Sequence, residues 1–414
     1  MPPESGMDHA PQNRWLSIVG IGEDGIAGLG ENARQAIINA SVVFGGHRHL
    51  ELAAPLISDE ARLWPVPFDT AMQDVLALRG APVCVLASGD PFFFGVGVTL
   101  SRHLDAGEFI AFPAPSAFSL AASRLGWPLQ AIETVSLHGR PLDLIRPLLH
   151  PGRHILALTS DGKGPAALAR LLRETGFGPS KLSILEALGG PAERIRSHPA
   201  DGFPFDGISD LNLVAIEVEA SPPARILPLA NGLDDALFEH DGQITKREIR
   251  AITLSALAPR RGELLWDVGA GSGSIGIEWM LAHPSMQAIA IEADPVRAAR
   301  IGRNSSAFGV PGLQIVEGSA PAVLHDLTPP DAIFLGGGGS DPGVLEATME
   351  HLKTDGRLVA NAVTLEMETV LLATHARHGG NLIHIQVNRA AALGSMQGWK
   401  PAMPVTQWIW TKQG

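Results

Sequence analysis

The residues best placed to do chemistry are the glycines and carboxylates of a short C-terminal segment. Asp267-Val-Gly-Ala-Gly-Ser-Gly273 follows an apolar run, and Glu292 lies 19 residues after Gly273. Glycines let the backbone turn tightly and approach a ligand closely, and an acid at this spacing can accept hydrogen bonds from both hydroxyls of a ribose. The spacing therefore predicts a nucleotide-type ligand at the start of a helix.

Two ligands fit this segment. Gly271-Ser-Gly-Ser-Ile-Gly276 matches the fingerprint G-x-G-x-x-G, which favours an NAD(P)-dependent oxidoreductase. The acidic Asp267, however, is unfavourable beside a pyrophosphate and suits the ammonium group of S-adenosylmethionine (SAM). The chain has no tyrosine, which excludes a Tyr–Lys catalytic pair. SAM is the ligand we expect, and the oxidoreductase stays as the alternative.

A second candidate loop lies in the N-terminal half. Ala87-Ser-Gly-Asp-Pro91 ends a predicted strand and leads into three phenylalanines, and an earlier Gly-rich turn covers 20–25. Such a loop offers exposed backbone and one carboxylate, Asp90, to a ligand. The competing interpretation is an ordinary turn in which Asp90 caps the backbone. These residues alone leave both open.

Composition excludes several other kinds of chemistry. The 414 residues include one cysteine, Cys84, so neither an internal disulfide nor a cysteine-cluster metal site can form. No third ligand joins the pairs His47/His49 and His375/His378, and we predict no metal. The net charge of −12 disfavours nucleic acid, and no apolar run approaches the roughly 18 residues of a membrane span. We expect a cytoplasmic homo-oligomer with no nucleic-acid or membrane partner.

Hydrophobic patterning predicts the elements that position these residues. Both halves alternate short apolar strands with amphipathic helices, so the fold class is α/β. Strands are predicted over 16–19, 83–87, 155–159, 182–185 and 211–218, and then over 264–268, 288–291, 313–316, 332–335, 358–362, 382–387 and 405–410. Helices are predicted over 31–40, 165–174, 274–281, 295–308 and 342–351.

A proline-rich stretch over 219–228 breaks both helix and sheet and separates the two halves. We therefore predict a disordered tail over 1–13, a first domain over 14–220, a linker over 221–232 and a second domain over 233–414.

The C-terminal half resembles the class I SAM-dependent methyltransferases in its D-x-G-x-G-x-G pattern and Glu292. Segments 231–238, 243–250, 317–321 and 334–339 are also similar to the decarboxylating precorrin methyltransferase domain of corrin biosynthesis. The resemblance implies a Rossmann-like domain in which Glu292 binds the ribose, Thr245 contacts the cofactor and Ala320 lies beside the adenine. The remaining cofactor contacts that it implies are Asp267, Gly269, Ala270, Gly271, Ser272 and Gly273.

The N-terminal half resembles the class III, or tetrapyrrole, methyltransferases. The similarity lies in 87–95, 112–118 and 121–128, and the strings over 45–50 and 136–140 are similar to the precorrin C5-methyltransferase subfamily. This family has two α/β lobes with SAM folded between them, and its early Gly-rich turn faces the substrate more than SAM. The cofactor contacts that the resemblance implies are Gly89, Asp90, Phe93, Ser116, Ala117 and Thr159.

Together the two resemblances imply a bifunctional methyltransferase of cobalamin (corrin) biosynthesis that binds one SAM per domain and releases S-adenosylhomocysteine (SAH). The implied substrate is an anionic tetrapyrrole, methylated at C5 by the first domain and at C15 by the second, which also decarboxylates the ring C acetate. A non-catalytic tetrapyrrole-binding protein is a further alternative, although Asp90, Asp267 and Glu292 argue against decayed sites.

An anionic substrate needs basic contacts. Arginine gives bidentate carboxylate contacts, and the competing interpretation of each cation is a solvated surface charge. At the end of a predicted strand, Asn361 is the one candidate catalytic residue, as a polar contact near the C15 site. The candidate substrate-binding residues are His47, Arg48 and Arg140 in the first domain, and Lys246, Arg247 and Arg389 in the second.

Overall fold

A computed structural model describes residues 14–65 and 71–414 in two compact units. The first unit runs to Arg140 and resumes over His150–Arg225, and the second comprises Pro141–Leu149 and Ile226–Gly414. The division after Arg225 falls within the proline-rich stretch. The tail predicted over 1–13 lies outside the described residues.

The first unit begins with a five-stranded parallel sheet in the order β3-β2-β4-β1-β5. Its central strands are continuous apolar runs that are buried on both faces, as parallel strands covered by helices require. The strands are β1 (Leu16–Ile21), β2 (Val42–Gly45), β3 (Glu60–Leu63), β4 (Val83–Ser88) and β5 (Phe109–Phe112). The helices are α1 (Glu31–Ile38), α2 (His47–Ala53), α3 (Ala71–Leu76), α4 (Val96–Leu100) and α5 (Ala117–Leu125).

A second sheet completes this unit in the order β6-β7-β10-β8-β9, with β6 and β7 parallel and the other neighbours antiparallel. Helix α5 packs on this sheet through Phe118 and Ala121. Strands β2, β3, β5, β6 and β9 were not predicted from the sequence. The first four of these strands have only four or five residues each, and the side chains of β9 are mostly exposed. The elements are β6 (Ile132–Ser136), β7 (His154–Leu158), α6 (Gly164–Glu174), β8 (Lys181–Glu186), β9 (Arg194–Pro199) and β10 (Asn212–Glu217).

The second unit is built on a seven-stranded sheet in the order β13-β12-β11-β14-β15-β19-β16. The first five strands in this order are parallel, and β19 runs antiparallel between β15 and β16. The strands are β11 (Leu264–Val268), β12 (Gln287–Glu292), β13 (Gln314–Glu317), β14 (Ala332–Leu335), β15 (Arg357–Ala362), β16 (Asn381–Ile385) and β19 (Val405–Thr411).

Helices cover both faces of this sheet, because alternate residues of each strand point to opposite sides. Leu265 and Phe334 pack with the helices of one face, whereas Trp266 and Leu335 belong to the core of the other. The helices are α7 (Arg247–Leu257), α8 (Ser274–Leu281), α9 (Pro295–Ala307), α10 (Val344–His351) and α11 (Leu365–His378). A hairpin that the sequence did not predict, β17 (Asn388–Leu393) with β18 (Met396–Pro401), precedes β19.

This arrangement confirms the α/β class and the Rossmann-like second domain. Strand β11 lies between β12 and β14, so the connections from β11 and β14 leave the sheet in opposite directions. In open α/β sheets such a switch point opens a crevice at the carboxyl ends of the strands, where ligands bind. Within the described ranges, none of the helices combines the length and hydrophobicity that crossing a bilayer requires.

Candidate active site

A cavity of about 790 Å³ opens at the carboxyl ends of the central strands of the second unit. Its walls come from the loop after β11, the ends of β12, β14 and β15, and the segment before α7. It collects most of the residues that the sequence predicts for this domain, namely Thr245, Lys246, Asp267, Gly269, Ala270, Gly271, Ser272, Glu292, Ala320, Asn361 and Arg389.

Two predicted residues of this domain do not line the cavity. Gly273 is the residue before α8, and its α-carbon faces the side chain of Ile301. Arg247 is the first residue of α7 and is exposed. Gly273 therefore lets the loop pack closely against α9 on the side away from the cavity. Arg247 lies outside the walls of the cavity.

Asp267 is a buried carboxylate with one oxygen unpartnered. Its Oδ2 accepts a hydrogen bond from the backbone N–H of Gly276 at 2.9 Å, whereas Oδ1 has no partner among the described residues. Burial raises the pKa of Asp267 to about 7, the Gly276 N–H acts to lower it, and the nearby Glu292 charge raises it further. An unpartnered carboxylate oxygen in a cavity wall suits a cationic group of a ligand.

Glu292 ends β12 and is held by two backbone donors. Its Oε2 accepts from the N–H of Gly271 at 2.7 Å, and its Oε1 accepts from the N–H of Asp294 at 3.0 Å. Each carboxylate oxygen keeps a lone pair, so the group can still accept hydrogen bonds from two neighbouring hydroxyls. This is the arrangement that a ribose would need.

The loop between these carboxylates requires glycine. Gly269 has a φ of +69°, and a Cβ there would lie 2.5 Å from the carbonyl oxygen of Gly337. Beside it, the Ser272 hydroxyl is buried and has no partner among the described residues. The close approach of two backbones, the unpartnered Asp267 Oδ1 and the Glu292 acceptors therefore fit the ammonium and ribose groups of SAM.

Three cations line the cavity, and each has an acidic partner. Lys246 Nζ lies 3.8 Å from Asp235, Arg297 Nε lies 2.9 Å from Asp241, and Arg389 pairs with Glu248. Sequence reasoning missed Arg297, which lies in the first turn of α9 and belongs to no motif. These pairs place positive charge at the cavity without leaving it uncompensated.

Arg250 is a further residue whose role the sequence did not reveal. Its side chain is fully buried, bonds Glu278 at 2.6 Å and Asp235 at 2.8 Å, and also donates to the carbonyl oxygens of Leu233 and Thr245. Arg250 thus fixes the segment before α7, which supplies the Thr245 wall of the cavity. The sequence pointed to Arg250 only through its place in the segment 243–250, which is similar to the precorrin methyltransferase domain.

In the first unit the structure brings several predicted cofactor residues together. Gly89 has a φ of +55°, and a Cβ there would lie 2.8 Å from the carbonyl oxygen of Pro115 and 3.0 Å from Cα of Ser116. Ala117 begins α5 directly after Ser116. Gly20 also abuts this turn, since its Cβ would meet the Gly89 carbonyl oxygen at 1.8 Å. Three chain segments therefore meet with little room for side chains.

The other predicted residues of this unit also have structural partners. Asp90 accepts from the N–H of Phe92 at 2.8 Å, as the turn interpretation expects, and Ser116 caps α5 by accepting from the N–H of Ser119. Phe93 packs edge-on against Phe118. Thr159, after β7, is buried and bonds Asn212 at 2.6 Å. Each of these side chains is therefore held in place by the protein itself.

A cavity of about 360 Å³ in this unit lies beside the first Gly-rich turn. Its walls come from Gly20, 28–33 and 111–114, and none of the predicted cofactor residues lines it. The three predicted substrate contacts lie elsewhere. His47 is exposed and pairs with Glu51, Arg48 bonds Glu23 and Ser88, and Arg140 is exposed in a turn.

Among the residues that the structure describes, no three His, Cys, Asp or Glu side chains meet in a way that could hold a metal ion. The His49 ring contacts Arg48 and Ser88 instead. Burial, with the Arg48 charge, lowers the pKa of His49 to about 4. This imidazole is therefore neutral at pH 7.

Comparison with known proteins finds both domain types in the chain. The family model of tetrapyrrole (corrin/porphyrin) methylases matches residues 16–202. The model of the precorrin methyltransferase domain matches residues 236–412. The two matches fall on the two halves that the proline-rich stretch separates.

Curated relatives match nearly the whole chain. A precorrin-6Y C(5,15)-methyltransferase (decarboxylating) from Sinorhizobium sp is 64% identical and covers 99% of this chain and 99% of its own. A protein of the same name from Mycobacterium tuberculosis (H37Rv) is 42% identical over 96% of this chain and 100% of its own. A cobalt-precorrin-6B C(15)-methyltransferase (decarboxylating) from Salmonella typhimurium is 35% identical over 42% of this chain and 92% of its own. The chain therefore belongs to the precorrin-6Y C(5,15)-methyltransferase (decarboxylating) family.

Proposed function

We propose that the protein is a bifunctional SAM-dependent methyltransferase that methylates precorrin-6Y at C5 and C15 and removes the ring C acetate carboxyl as carbon dioxide. The observation that carries this proposal is the cavity of the second unit, where an unpartnered Asp267 oxygen and the Glu292 acceptors flank a glycine loop. The Sinorhizobium and Mycobacterium relatives, matched over almost their full lengths, are named for both methylations and the decarboxylation.

The second unit would carry out C15 methylation and decarboxylation. The Salmonella relative, named for these two activities alone, is matched over 180 residues and 92% of its length. That length is close to the 236–412 match of the precorrin methyltransferase domain. C5 methylation is then left to the first unit, whose family is that of the tetrapyrrole methylases.

Each unit would bind one SAM, which supplies the electrophilic methyl group when bound. In the second unit, Asp267 would bind the ammonium group and Glu292 the ribose, while Thr245 and Ala320 contact the rest of the ligand. In the first unit, the close meeting of Gly89 with the 113–117 segment supports a cofactor turn there. The role of these groups is to align the reactants, and alignment alone can supply roughly 7–11 kcal/mol of a barrier.

The cations of the cavity would hold the carboxylates of the substrate. Lys246, Arg297 and Arg389 lie on its walls and could exchange their acidic partners for carboxylates of the tetrapyrrole. In the decarboxylation, the bond between the acetate methylene and its carboxylate breaks and carbon dioxide leaves. The electron pair passes into the conjugated macrocycle, and a proton from solvent completes the methyl group.

Mass spectrometry of the product tests this function. After incubation with SAM and precorrin-6Y, we expect the tetrapyrrole to gain two methyl groups and lose one carbon dioxide. With Glu292→Ala, we expect one methyl group at C5 and no loss of carbon dioxide. An unchanged mass with folded protein would favour the non-catalytic tetrapyrrole-binding protein, and binding of NADH without binding of SAH would favour the oxidoreductase.

The homo-oligomeric state expected from the sequence stays a prediction. Light scattering coupled to size-exclusion chromatography measures it, since the mass of one chain is 43.6 kDa. A mass of one chain across the working concentration range would contradict it.

A further inference from the structure

Three neutral polar side chains form a buried cluster below the cavity of the second unit. Thr253 lies on α7, Asn361 on β15 and Gln407 on β19, where Asn361 and Gln407 are direct cross-strand partners. Thr253 and Gln407 are completely buried, and Asn361 is 8% exposed. We call these three residues the amide cluster.

The amide cluster reaches the cavity at one point only. Asn361 lines the cavity, whereas Thr253 and Gln407 do not. Burying polar groups is unfavourable unless they are hydrogen-bonded, and Gln407 keeps an Oε1 atom with no partner among the described residues. A polar cluster in this part of the core therefore needs a reason other than packing, and its one outlet is the Asn361 carboxamide.

The hydrogen bonds of the cluster fix which end of that carboxamide is free. Gln407 Nε2 donates to Asn361 Oδ1 at 2.8 Å and to Thr253 Oγ1 at 3.0 Å. Asn361 Nδ2 donates to Thr253 Oγ1 at 3.1 Å. A primary amide carries two N–H donors, so one N–H of Asn361 is left for a ligand in the cavity.

We infer that Thr253 and Gln407 are positioning residues that orient the Asn361 carboxamide to donate a hydrogen bond to a carboxylate of the substrate. This inference rests on the proposed function of the second unit. A neutral donor suits the carboxylate that departs, because an arginine there would stabilise the charge that must be lost as carbon dioxide forms. The cations of the cavity would hold the carboxylates that stay.

Isosteric variants separate positioning from folding. Thr253→Val removes the hydroxyl that accepts from both amides, and Gln407→Leu removes the donor to Asn361. Thr253→Ser keeps the hydroxyl and should therefore retain the carbon dioxide release that Thr253→Val loses. The matched control is Thr406→Val, which removes a buried hydroxyl next to Gln407 that bonds Glu368 and His384 instead of the cluster.

The measurements are the rate of carbon dioxide release, the Kd of SAH at the second site and the thermal midpoint. We expect Thr253→Val and Gln407→Leu to lower kcat for carbon dioxide release about 10- to 100-fold, the range that misplacement of a reacting group produces. The Kd of SAH should stay within about twofold of wild type, and Thr253→Ser and Thr406→Val should be near wild type in all three.

Two results would overturn the inference. One is an unchanged kcat in both Thr253→Val and Gln407→Leu. The other is a parallel loss of SAH binding, thermal midpoint and rate that Thr406→Val reproduces, because that pattern belongs to general destabilisation. If either variant fails to fold, kcat for carbon dioxide release is compared between Thr253→Ser and Asn361→Asp. Asn361→Asp replaces the free N–H by a carboxylate oxygen and should be the slower of the two, and equal rates would overturn the inference. Failure of the proposed function is seen separately, as absence of carbon dioxide release by the wild-type protein.

Discussion

Asp267 shows at the scale of one residue how the fold prepares a ligand site. Its carboxylate lies in the core, and among the described residues only Gly276 donates to it. Burial raises its pKa from the ordinary 3.8 to about 7. A carboxyl group in this state ionises at little energetic cost when a cation binds beside it. Without a cation, burial disfavours its charged form.

The first prediction concerns the pH dependence of ligand binding. SAH carries the same ammonium group as SAM, and in the proposed site this group would pair with the ionised form of Asp267. Below pH 7 the proton must first be lost, so SAH affinity at the second site should fall about tenfold for each pH unit, down to the limit set by other contacts. Calorimetry between pH 5 and 8 measures this. Asp267→Asn should bind more weakly with a flat profile, and a flat profile in the wild type would contradict the prediction.

The same group predicts the pH dependence of stability without ligand. Because the folded pKa lies above the unfolded value, the folded state binds the proton more tightly between pH 3.8 and about 7. The contribution of Asp267 to stability therefore falls as the pH rises through this window. Urea unfolding of the wild type and Asp267→Asn at pH 4.5 and 7.5 measures it. The variant should gain relative stability at pH 7.5, and a gain at pH 4.5 instead would show that the carboxylate is stabilised.

Glu292 gives a further prediction at the scale of one residue. Glu292→Gln keeps the shape but replaces one acceptor oxygen of the carboxylate by a donor. Loss of a hydrogen bond to a charged group costs about 1.5–3 kcal/mol, or about 10- to 150-fold in the Kd of SAH at the second site. Calorimetry measures this, with Glu317→Gln on the neighbouring strand β13 as the control. Equal effects of both substitutions would contradict the ribose role.

Helix α7 carries the next prediction, at the scale of elements. Its Arg250 is a buried cation that ties the 233–245 segment to Glu278 and Asp235. Removing one partner of a buried ion pair costs about 3–5 kcal/mol, so Arg250→Met should lower the free energy of unfolding by that amount and weaken SAH binding. The double variant Arg250→Met/Glu278→Gln should recover part of the stability, because it removes the unpaired charge of Glu278 and keeps an acceptor oxygen for the backbone N–H groups of Gly232 and Leu233. Urea denaturation measures both, and an additive loss would contradict the pairing.

The strands of the parallel sheet in the second unit were predictable, whereas β2 of the first unit escaped prediction although all four of its residues are buried. Helix 274–281 is found as predicted, and the neighbouring strands lie within one or two residues of their predicted bounds. The hairpin of β17 and β18 escaped prediction because neither strand shows an apolar alternation, and the two strands pair with each other rather than with the main sheet. The roles of Asp267 and Glu292 could be predicted because these residues lie at the ends of strands, whereas the roles of Arg250 and Gln407 could not. Their roles depend on which helices and strands become neighbours.

At the scale of the whole molecule, the negative net charge of the chain has to be reconciled with an anionic substrate. A net charge of −12 is unfavourable for an anionic substrate, yet three cations line one cavity and are each balanced by an acid. The acids that make the chain negative include those partners. Composition gives the sum of the charges, and the fold decides where the positive ones lie. Lys246 and Arg389 were named from the sequence as candidates for this site, and both line the cavity, whereas Arg297 was missed because nothing in the sequence shows that its helix borders the cavity.

The central claim for the whole molecule is that two separate sites each bind one SAM. Titration calorimetry with SAH tests it most directly. The wild type should bind two equivalents per chain, and Glu292→Ala should bind one. Gly89→Val, whose new side chain would collide with Pro115 and Ser116, should also bind one, and the double variant none. A wild type that binds one equivalent, or a Glu292→Ala variant that binds none, would contradict the claim.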